Sequence, residues 1–292
     1  MNRLDPAVRA QILRCLVEGN SIRATARLCQ VEKRTVTRLM IDAGRACQAY
    51  QDQVLCDLPC KRVQVDEIWS FTYAKQKNVK AAKAAPERAG DTWTWTAICA
   101  DTKLAINWLV GNRDAVHAHA FIHDVWERLA GRVQLTSDGF APYRDAVEQV
   151  FGIDVDYAML VKSYGASPEG EKRYSPAECI GAKKVPMQGK PDPKHISTSF
   201  VERQNLTMRM AMRRFTRLTN AFSKKIENHA YAVSLHFMHY NFCRQHQTLR
   251  VSPAMAAGVT DRLWTAEDVV TLIDSMTPAP KPRGPYKKRK AI

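Results

Sequence analysis

The sequence has 292 residues, of which 45% are hydrophobic and 25% charged, enough for one sizeable core and a small accessory domain. Its 44 Lys and Arg against 29 Asp and Glu give a formal net charge of +15, which favours polyanionic partners, nucleic acid being the commonest. A basic surface that serves a membrane or simple solubility is the alternative. The sequence contains no apolar run that could span a bilayer and no signal-peptide core, so we expect a cytoplasmic protein without a membrane partner.

Residues 1–50 have the pattern of three short helices. Pro6 suits a first helical turn, Ser21 is placed to cap a second helix, and a break at 29–32 precedes a third helix that begins at Lys33. The stretch SIRATARLCQVEKRTVTRLM is typical of a helix-turn-helix. A generic three-helix bundle with a basic surface is the alternative. In the DNA-binding interpretation, phosphates and base edges are contacted by Arg34, Thr35, Thr37 and Arg38.

Residues 51–61 are predicted to form a linker. From residue 62 apolar and polar residues alternate, which indicates a first β-strand. The elements that follow are two strands, a helix, a strand, a helix and a strand, at 92–100, 104–110, 115–129, 132–137, 141–150 and 155–161. This order predicts an α/β fold with a mixed sheet and flanking helices, preceded by the small all-α domain.

The remaining sequence divides into an insertion, helices and a basic tail. Residues 163–197 are rich in Gly, Pro, Lys and Glu and too long for an ordinary connection, so we expect a functional or poorly ordered insertion. Helical periodicity returns at 198–215. Residues 259–292 are predicted to form a C-terminal helix and a tail with six Lys or Arg and no acid in its last twelve residues. Such a tail either grips phosphates, through Lys287 and Lys288, or only keeps the protein soluble.

Three carboxylates stand where a metal site would need them. Asp66 lies in the middle of a strand and Asp138 ends another, and each would be costly to bury unpaired. Glu202 opens a helix, and from residues 203–225 there are seven basic residues and no acidic one. Taken singly, each has a simpler explanation: an ion pair for Asp66, a turn for Asp138 and a favourable helix N-terminus for Glu202. Together, in a basic chain, they favour a site for a hard cation such as Mg²⁺. Glu67 points to the other face by strand alternation and is a weaker candidate.

Three blocks of this sequence resemble the insertion-sequence-one family of bacterial transposases. They are VQVDEIWSF at 63–71, TSDGFAPY at 136–143, and STSFVERQNLTMRMAMRRFTRLTNAFSKK at 197–225. The third is the most specific, because it contains an E-R-x-N-L-x-x-R core. The resemblance implies a ribonuclease-H-like catalytic domain at 62–258, with a D-D-E triad at Asp66, Asp138 and Glu202.

The triad implies phosphoryl transfer on DNA with Mg²⁺, for which Mn²⁺ is expected to substitute. The expected partners are double-stranded DNA, as terminal inverted repeats and as target, and further copies of the chain assembled on DNA. We expect the protein in the cytoplasm, associated with the nucleoid. On helical spacing Arg209 and Arg213 share the face of Glu202, and with Arg203 they are predicted to hold DNA phosphates. Asn205 is expected to orient a phosphate or a metal-bound water, a plain surface amide being the alternative.

Three other functions fit parts of the pattern. A helix-turn-helix transcription regulator would bind DNA without any metal. A nuclease or integrase with the same fold would cleave without the same strand joining. A degenerate copy of the element would bind DNA only. The indole rings of Trp69, Trp93 and Trp95 are expected in the core rather than as surfaces for stacking bases.

Overall fold

The computed structural model describes residues 4–165, 179–216 and 219–276. Three helices come first: α1 (Pro6–Val17), α2 (Ile22–Leu28) and α3 (Lys33–Val54). The Asp5 carboxylate accepts the N–H of Ala7 at the start of α1, and the Ser21 hydroxyl accepts the N–H of Ala24 at the start of α2. These side chains satisfy helix N–H groups that have no partner within the helix, and the predicted cap at Ser21 is confirmed.

Within the described residues, six strands form one mixed sheet in the order β3-β2-β1-β4-β5-β6. Strands β1, β4 and β5 run parallel, whereas β2, β3 and β6 pair antiparallel with their neighbours. The predicted mixed sheet with flanking helices is confirmed. The strands are β1 (Arg62–Thr72), β2 (Gly90–Cys99), β3 (Ala105–Gly111), β4 (Val133–Ser137), β5 (Val155–Tyr164) and β6 (Cys179–Gln188).

Helices cover both faces of the sheet. On one face Trp95 of β2 packs against Phe121 of α5 (Ala115–Glu127) and Tyr143 of α6 (Ala141–Phe151). On the opposite face Trp108 of β3 stacks on Phe237 of α8, with ring centroids 4.8 Å apart. The helices after β1 are α4 (Gln76–Val79), α5 (Ala115–Glu127), α6 (Ala141–Phe151), α7 (Ser199–Ala211), α8 (Ile226–Met238), α9 (Pro253–Ala256) and α10 (Ala266–Met276). Among the described helices, none has both the length and the hydrophobicity that crossing a bilayer requires.

The predicted linker at 51–61 differs from the structure. Helix α3 continues to Val54, and the side chains of Leu55 and Leu58 that follow it are buried. The reason is that α3 packs along α8, which extends the apolar contact beyond the predicted boundary. Gly44 permits the close approach, since a Cβ at this position would lie 2.4 Å from the Cβ of Tyr231 on α8.

The predicted insertion at 163–197 contains a strand that the sequence pattern missed. Strand β6 pairs antiparallel with β5 at the edge of the sheet. Its residues are exposed on both sides, so no apolar alternation marks it. Residues 166–178 of this insertion lie outside the described residues, as does the basic tail at 277–292 with Lys287 and Lys288.

Candidate metal centre

The candidate site lies where β4 ends beside the middle of β1. The parallel register pairs Gln64 with Thr136, and β4 stops one residue later, so Asp138 falls at the level of Asp66. One carboxylate oxygen from each of Asp66, Glu67 and Asp138 lies within 4.8 Å of the other two. The structure therefore brings together two of the three carboxylates predicted from the sequence.

Asp66 is held on the sheet face that α7 covers. The side-chain amide of Asn205 donates a hydrogen bond to its carboxylate at 2.8 Å. Burial raises the pKa of Asp66 to about 8, and the neighbouring charges of Glu67, Asp138 and Glu202 act in the same direction. An ionised Asp66 thus lacks sufficient positive charge around it. A cation bound at this position would supply that charge.

Glu67 is held on the opposite face, under α6. The Tyr143 hydroxyl donates to one of its oxygens at 2.8 Å, and the Arg113 guanidinium forms an ion pair with the other. Burial raises the pKa of Glu67, as does Asp138, while Arg113 and Tyr143 offset part of that shift. Arg113 also reaches to 3.8 Å from the Asp138 carboxylate and lies over the ring of Phe140. Arg113 therefore interacts with two of the clustered acids, Glu67 and Asp138.

Strand alternation made Glu67 a weaker candidate than Asp66, and the structure corrects that expectation by placing a Glu67 oxygen in the cluster. Alternation predicts opposite directions for Asp66 and Glu67, and their polar partners do lie on opposite faces. However, β4 no longer pairs with β1 beyond residue 64, so Asp138 occupies the open margin of β1. Side chains from both faces can reach a carboxylate in that position. The order of the strands, which the sequence did not reveal, was the information needed.

Glu202 lies beside this cluster rather than within the group of three. The Gln64 side chain accepts two backbone N–H groups from the first turn of α7 and fixes that turn on β1. Glu202 forms an ion pair with Lys162 of β5 and accepts a hydrogen bond from the Thr198 hydroxyl. It stands one helical turn before Asn205, so both side chains lie on the helix face turned toward β1.

The donor set is the kind that hard divalent cations select. The cluster of Asp66, Glu67 and Asp138 offers only carboxylate oxygens, with Glu202 as a fourth carboxylate nearby. Oxygen ligands suit Mg²⁺ and Mn²⁺, whereas thiolate and imidazole ligands favour softer metals. Since burial also leaves negative charge uncompensated here, the residues present fit a bound Mg²⁺ or Mn²⁺.

The structure places the four DNA contacts predicted around α7 in different surroundings. Arg203 and Arg209 are exposed on the helix, while Asn205 is buried and bonded to Asp66 instead of lying on an open surface. The prediction that Arg213 continues the face of Glu202 is wrong. Helix α7 ends at Ala211, and Arg213 begins a separate 3-10 turn after an extended residue.

The predicted helix-turn-helix residues lie on the first turns of α3. Arg34 and Arg38 are exposed, whereas Thr35 and Thr37 are half-buried. The Thr37 hydroxyl donates to a carbonyl one turn back in its own helix, at 3.0 Å. Gln30, in the turn before α3, has a φ of 53°, a conformation that few residues other than glycine adopt. The two arginines are therefore the more accessible of the predicted contacts.

No family model and no curated protein matches this sequence. Among solved structures, a piggyBac transposase synaptic complex with hairpin DNA is similar at 11% identity and a TM-score of 0.38, covering 95% of this chain and 73% of that chain. A Mos1 transposase paired-end complex is similar at 14% identity and a TM-score of 0.22, covering 53% and 59%. A pre-cleavage Mos1 transpososome gives 10% identity and a TM-score of 0.24, covering 82% and 78%. At these identities and TM-scores, the matches are reported as similarities and carry no further argument.

Proposed function

We propose that this chain is a transposase, a metal-dependent enzyme that cuts DNA strands at the ends of an insertion sequence and joins them to target DNA. The observation that supports the proposal is the cluster of Asp66, Glu67 and Asp138, with oxygens within 4.8 Å at the margin of a ribonuclease-H-like sheet. A formal net charge of +15 makes a polyanionic substrate the natural partner of such an acidic site.

In this proposal Asp66, Asp138 and Glu202 hold the metal. Bound Mg²⁺, or Mn²⁺ in its place, supplies Lewis-acid polarisation of a DNA phosphate and lowers the pKa of the attacking hydroxyl. Glu202 is paired with Lys162 in the structure, and it would be free to bind the metal once Lys162 pairs with a DNA phosphate instead. Asn205 orients the Asp66 carboxylate by its hydrogen bond, and this is a positioning role.

Glu67 has a second positioning role in the proposal. Its ion pair with Arg113 and its hydrogen bond from Tyr143 hold a buried negative charge next to Asp138. Arg113 also lies near the Asp138 carboxylate, so the network fixes where that carboxylate can point. Ligands held in this way by outer hydrogen bonds bind metals more tightly than free side chains do.

The proposed DNA contacts come from several parts of the chain. Arg203 and Arg209 of α7 lie on the helix that carries Glu202 and would hold phosphates near the site. The remaining expected contacts are proposed to recognise the element ends or to add affinity, and they are Arg34, Thr35, Thr37, Arg38, Arg213, Lys287 and Lys288.

We further propose that the chain is of the insertion-sequence-one type and acts as a homo-oligomer on double-stranded DNA, in the cytoplasm with the nucleoid. The E-R-x-N-L-x-x-R block around Glu202 supports the family proposal. Strand transfer of two element ends requires that both be held at once, which supports more than one copy of the chain.

The test is a strand-transfer assay with the full chain, Mg²⁺ and DNA that carries the terminal repeats flanking its gene. The wild-type protein should cleave and join these ends, and alanine at Asp66, Asp138 or Glu202 should reduce joining to background. Asp145→Ala supplies the matched control, since this exposed acid of α6 is paired with Arg144 outside the cluster.

Three outcomes of this assay contradict the proposal in distinct ways. Cleavage without joining indicates a nuclease. DNA binding without cleavage, unaffected by a chelator, indicates a transcription regulator or a degenerate copy of the element. Full joining activity in excess chelator rejects the metal mechanism.

A further inference from the structure

Four aromatic side chains extend away from the carboxylate cluster along the sheet. Trp69 and Phe71 follow Glu67 at alternate positions of β1, so all three point to the same face. Ring centroids are 5.9 Å apart between Trp69 and Phe71, and 5.0 Å apart between Phe71 and Phe222. Trp93 of β2 stands directly across from Trp69. We call Trp93, Trp69, Phe71 and Phe222 the aromatic strip.

The aromatic strip is only partly covered, although the sequence predicted core positions for Trp69 and Trp93. Trp95, on the same face, is fully covered by α5 and α6, so its predicted place in the core is confirmed. Trp69 is 36% exposed, and Trp93, Phe71 and Phe222 are only partly buried. The expectation of a core position for Trp69 is therefore wrong. The described helices on this face do not cover the part of β1 beyond Glu67.

The aromatic strip is continuous with the candidate metal centre. The Arg113 guanidinium lies 5.2 Å from the ring centroid of Trp93 and pairs with Glu67. From Glu67 to Phe71 the strand advances about 13 Å at the usual rise per residue. That length corresponds to about four nucleotides at the 3.4 Å spacing of stacked bases in one strand.

Positive charge borders the aromatic strip. The Lys75 ammonium lies 5.9 Å from the ring centroid of Trp69. The loop at 75–88, which follows β1, holds five basic residues and one acidic residue, and its basic side chains are exposed. The loop is anchored, since the Gln76 N–H donates to the Asp91 carboxylate at 3.1 Å. Exposed rings beside a basic loop are the combination that binds the bases and phosphates of a single strand.

We propose that the aromatic strip binds unpaired nucleotides of the DNA strand next to the scissile phosphate, by stacking bases on Trp69 and its neighbours. This inference rests on the proposed function, which makes DNA the substrate. Unpaired DNA fits better than an intact duplex, because a duplex offers only base edges in its grooves while unpaired bases offer their faces. Stacking tolerates any base, so the aromatic strip would open the DNA near the site without selecting its sequence.

The test uses DNA duplexes with a four-nucleotide unpaired end that carries 2-aminopurine, whose fluorescence falls on stacking. Full-length protein is titrated in chelator, so that cleavage does not intervene. The wild-type protein should quench the unpaired 2-aminopurine and prefer this DNA to a blunt duplex. Trp69→Ala should lose the quenching and bind the unpaired end about tenfold more weakly, whereas Trp69→Phe should keep most of the quenching and of the affinity. Phe222→Ala, on a separate segment, should also reduce the quenching and the affinity.

The matched control is Trp126→Ala, which removes a 45% exposed indole from α5. This end of α5 lies at the opposite end of the sheet, because Leu129 pairs with Leu58 just before β1. Trp126→Ala should bind and quench like the wild-type protein. Thermal melting of each variant checks that it folds.

Two results would overturn the inference: no quenching by the wild-type protein, or equal quenching by folded Trp69→Ala. The outcome is separable from that of the proposed function, since stacking is measured without metal. Quenching by a protein that never cleaves DNA in Mg²⁺ would support the aromatic strip and reject the transposase. Cleavage by a protein that never quenches would do the reverse.

Discussion

Asp66 carries a large electrostatic cost when its carboxylate is ionised. Burial raises its pKa from 3.8 to about 8. Because the folded-state pKa is raised, the stability that protonated Asp66 contributes is present below pH 3.8 and is lost as the pH rises through 8. Near pH 8–9 the ionised carboxylate therefore opposes folding unless a cation accompanies it.

This cost leads to a prediction about melting temperature. In chelator at pH 9, Asp66→Asn should melt at least about 2–4 °C above the wild-type protein, since it removes a buried charge that costs at least about 1 kcal/mol. Added Mg²⁺ should raise the melting temperature of the wild-type protein but not of Asp66→Asn. Asp145→Asn should behave like the wild-type protein in both conditions. An Asp66→Asn variant that melts lower in chelator and still gains from Mg²⁺ would contradict this assignment.

A substitution at Tyr143 tests whether its hydrogen bond to Glu67 contributes to metal binding. Tyr143→Phe removes the hydroxyl that donates to Glu67 and leaves a buried carboxylate oxygen without that partner. We expect Mg²⁺ affinity, measured by titration calorimetry, to fall about tenfold, as for other outer partners of metal sites. A loss of about 1–3 kcal/mol in stability should accompany it. Unchanged metal affinity in a destabilised Tyr143→Phe would limit this hydroxyl to a structural role.

Residues of the site differ in how visible they are in the sequence. Asp66 and Asp138 could be predicted because an acid inside an apolar strand needs a compensating partner. Glu67 could not, since its place in the cluster depends on β4 ending beside β1. The partnership of Asn205 with Asp66 was hidden for a similar reason, as it joins residues 139 positions apart.

At the scale of elements, α8 carries two buried histidines that must stay neutral. Burial lowers the pKa of His229 to about 3, with the charge of Arg214 acting in the same direction. Burial likewise lowers the pKa of His236 to about 3. Since the folded-state pKa values are depressed, their contribution to stability is present above pH 6.5 and is lost as the pH falls toward 3.

Urea unfolding at several pH values checks this prediction. Between pH 6.5 and 4.5, the free energy of unfolding of the wild-type protein should fall toward that of His229→Gln by about 1.4 kcal/mol per pH unit. The reason is that His229 takes up a proton on unfolding, whereas glutamine does not. The comparison is made between variants because Asp66 changes stability in the opposite direction over this range. His123→Gln, at an exposed position of α5, is the matched control. A difference between His229→Gln and the wild-type protein that is constant with pH would refute the buried neutral histidine.

Elements with a strong periodic pattern could be predicted, whereas strand β6 and the end of α7 could not. Strand β1 could be predicted because apolar and polar residues alternate along its first half, with Val63 and Val65 on one face and Gln64 and Asp66 on the other. Strand β6 lacks this alternation because solvent reaches both its sides at the sheet edge. The end of α7 at Ala211 was missed since the sequence that follows contains no Gly or Pro to mark a stop.

On the scale of the whole molecule, the N-terminal helices share their hydrophobic core with the sheet domain. Helix α3 lies against α8 at Gly44, where no Cβ fits. Composition and periodicity predicted the helices of this segment but not their docking, because docking depends on contacts between residues nearly two hundred positions apart.

Gly44→Ala should therefore lower the free energy of unfolding by about 1–3 kcal/mol, despite the better helix propensity of alanine. Gly131→Ala, where a Cβ meets no atom within 4 Å, should change it by less than about 0.5 kcal/mol. Chemical denaturation of the two variants measures both values. Equal stability of Gly44→Ala and the wild-type protein would show that the helices do not pack on the sheet domain as described.

The central claim is that acids distant in sequence converge to bind divalent metal. Anomalous diffraction from crystals soaked in Mn²⁺ tests it most directly. The account predicts a peak about 2 Å from carboxylate oxygens of both Asp66 and Asp138, which disappears in Asp66→Ala. Well-ordered carboxylates at these two positions and at Glu202, with no Mn²⁺ peak between them, would contradict it.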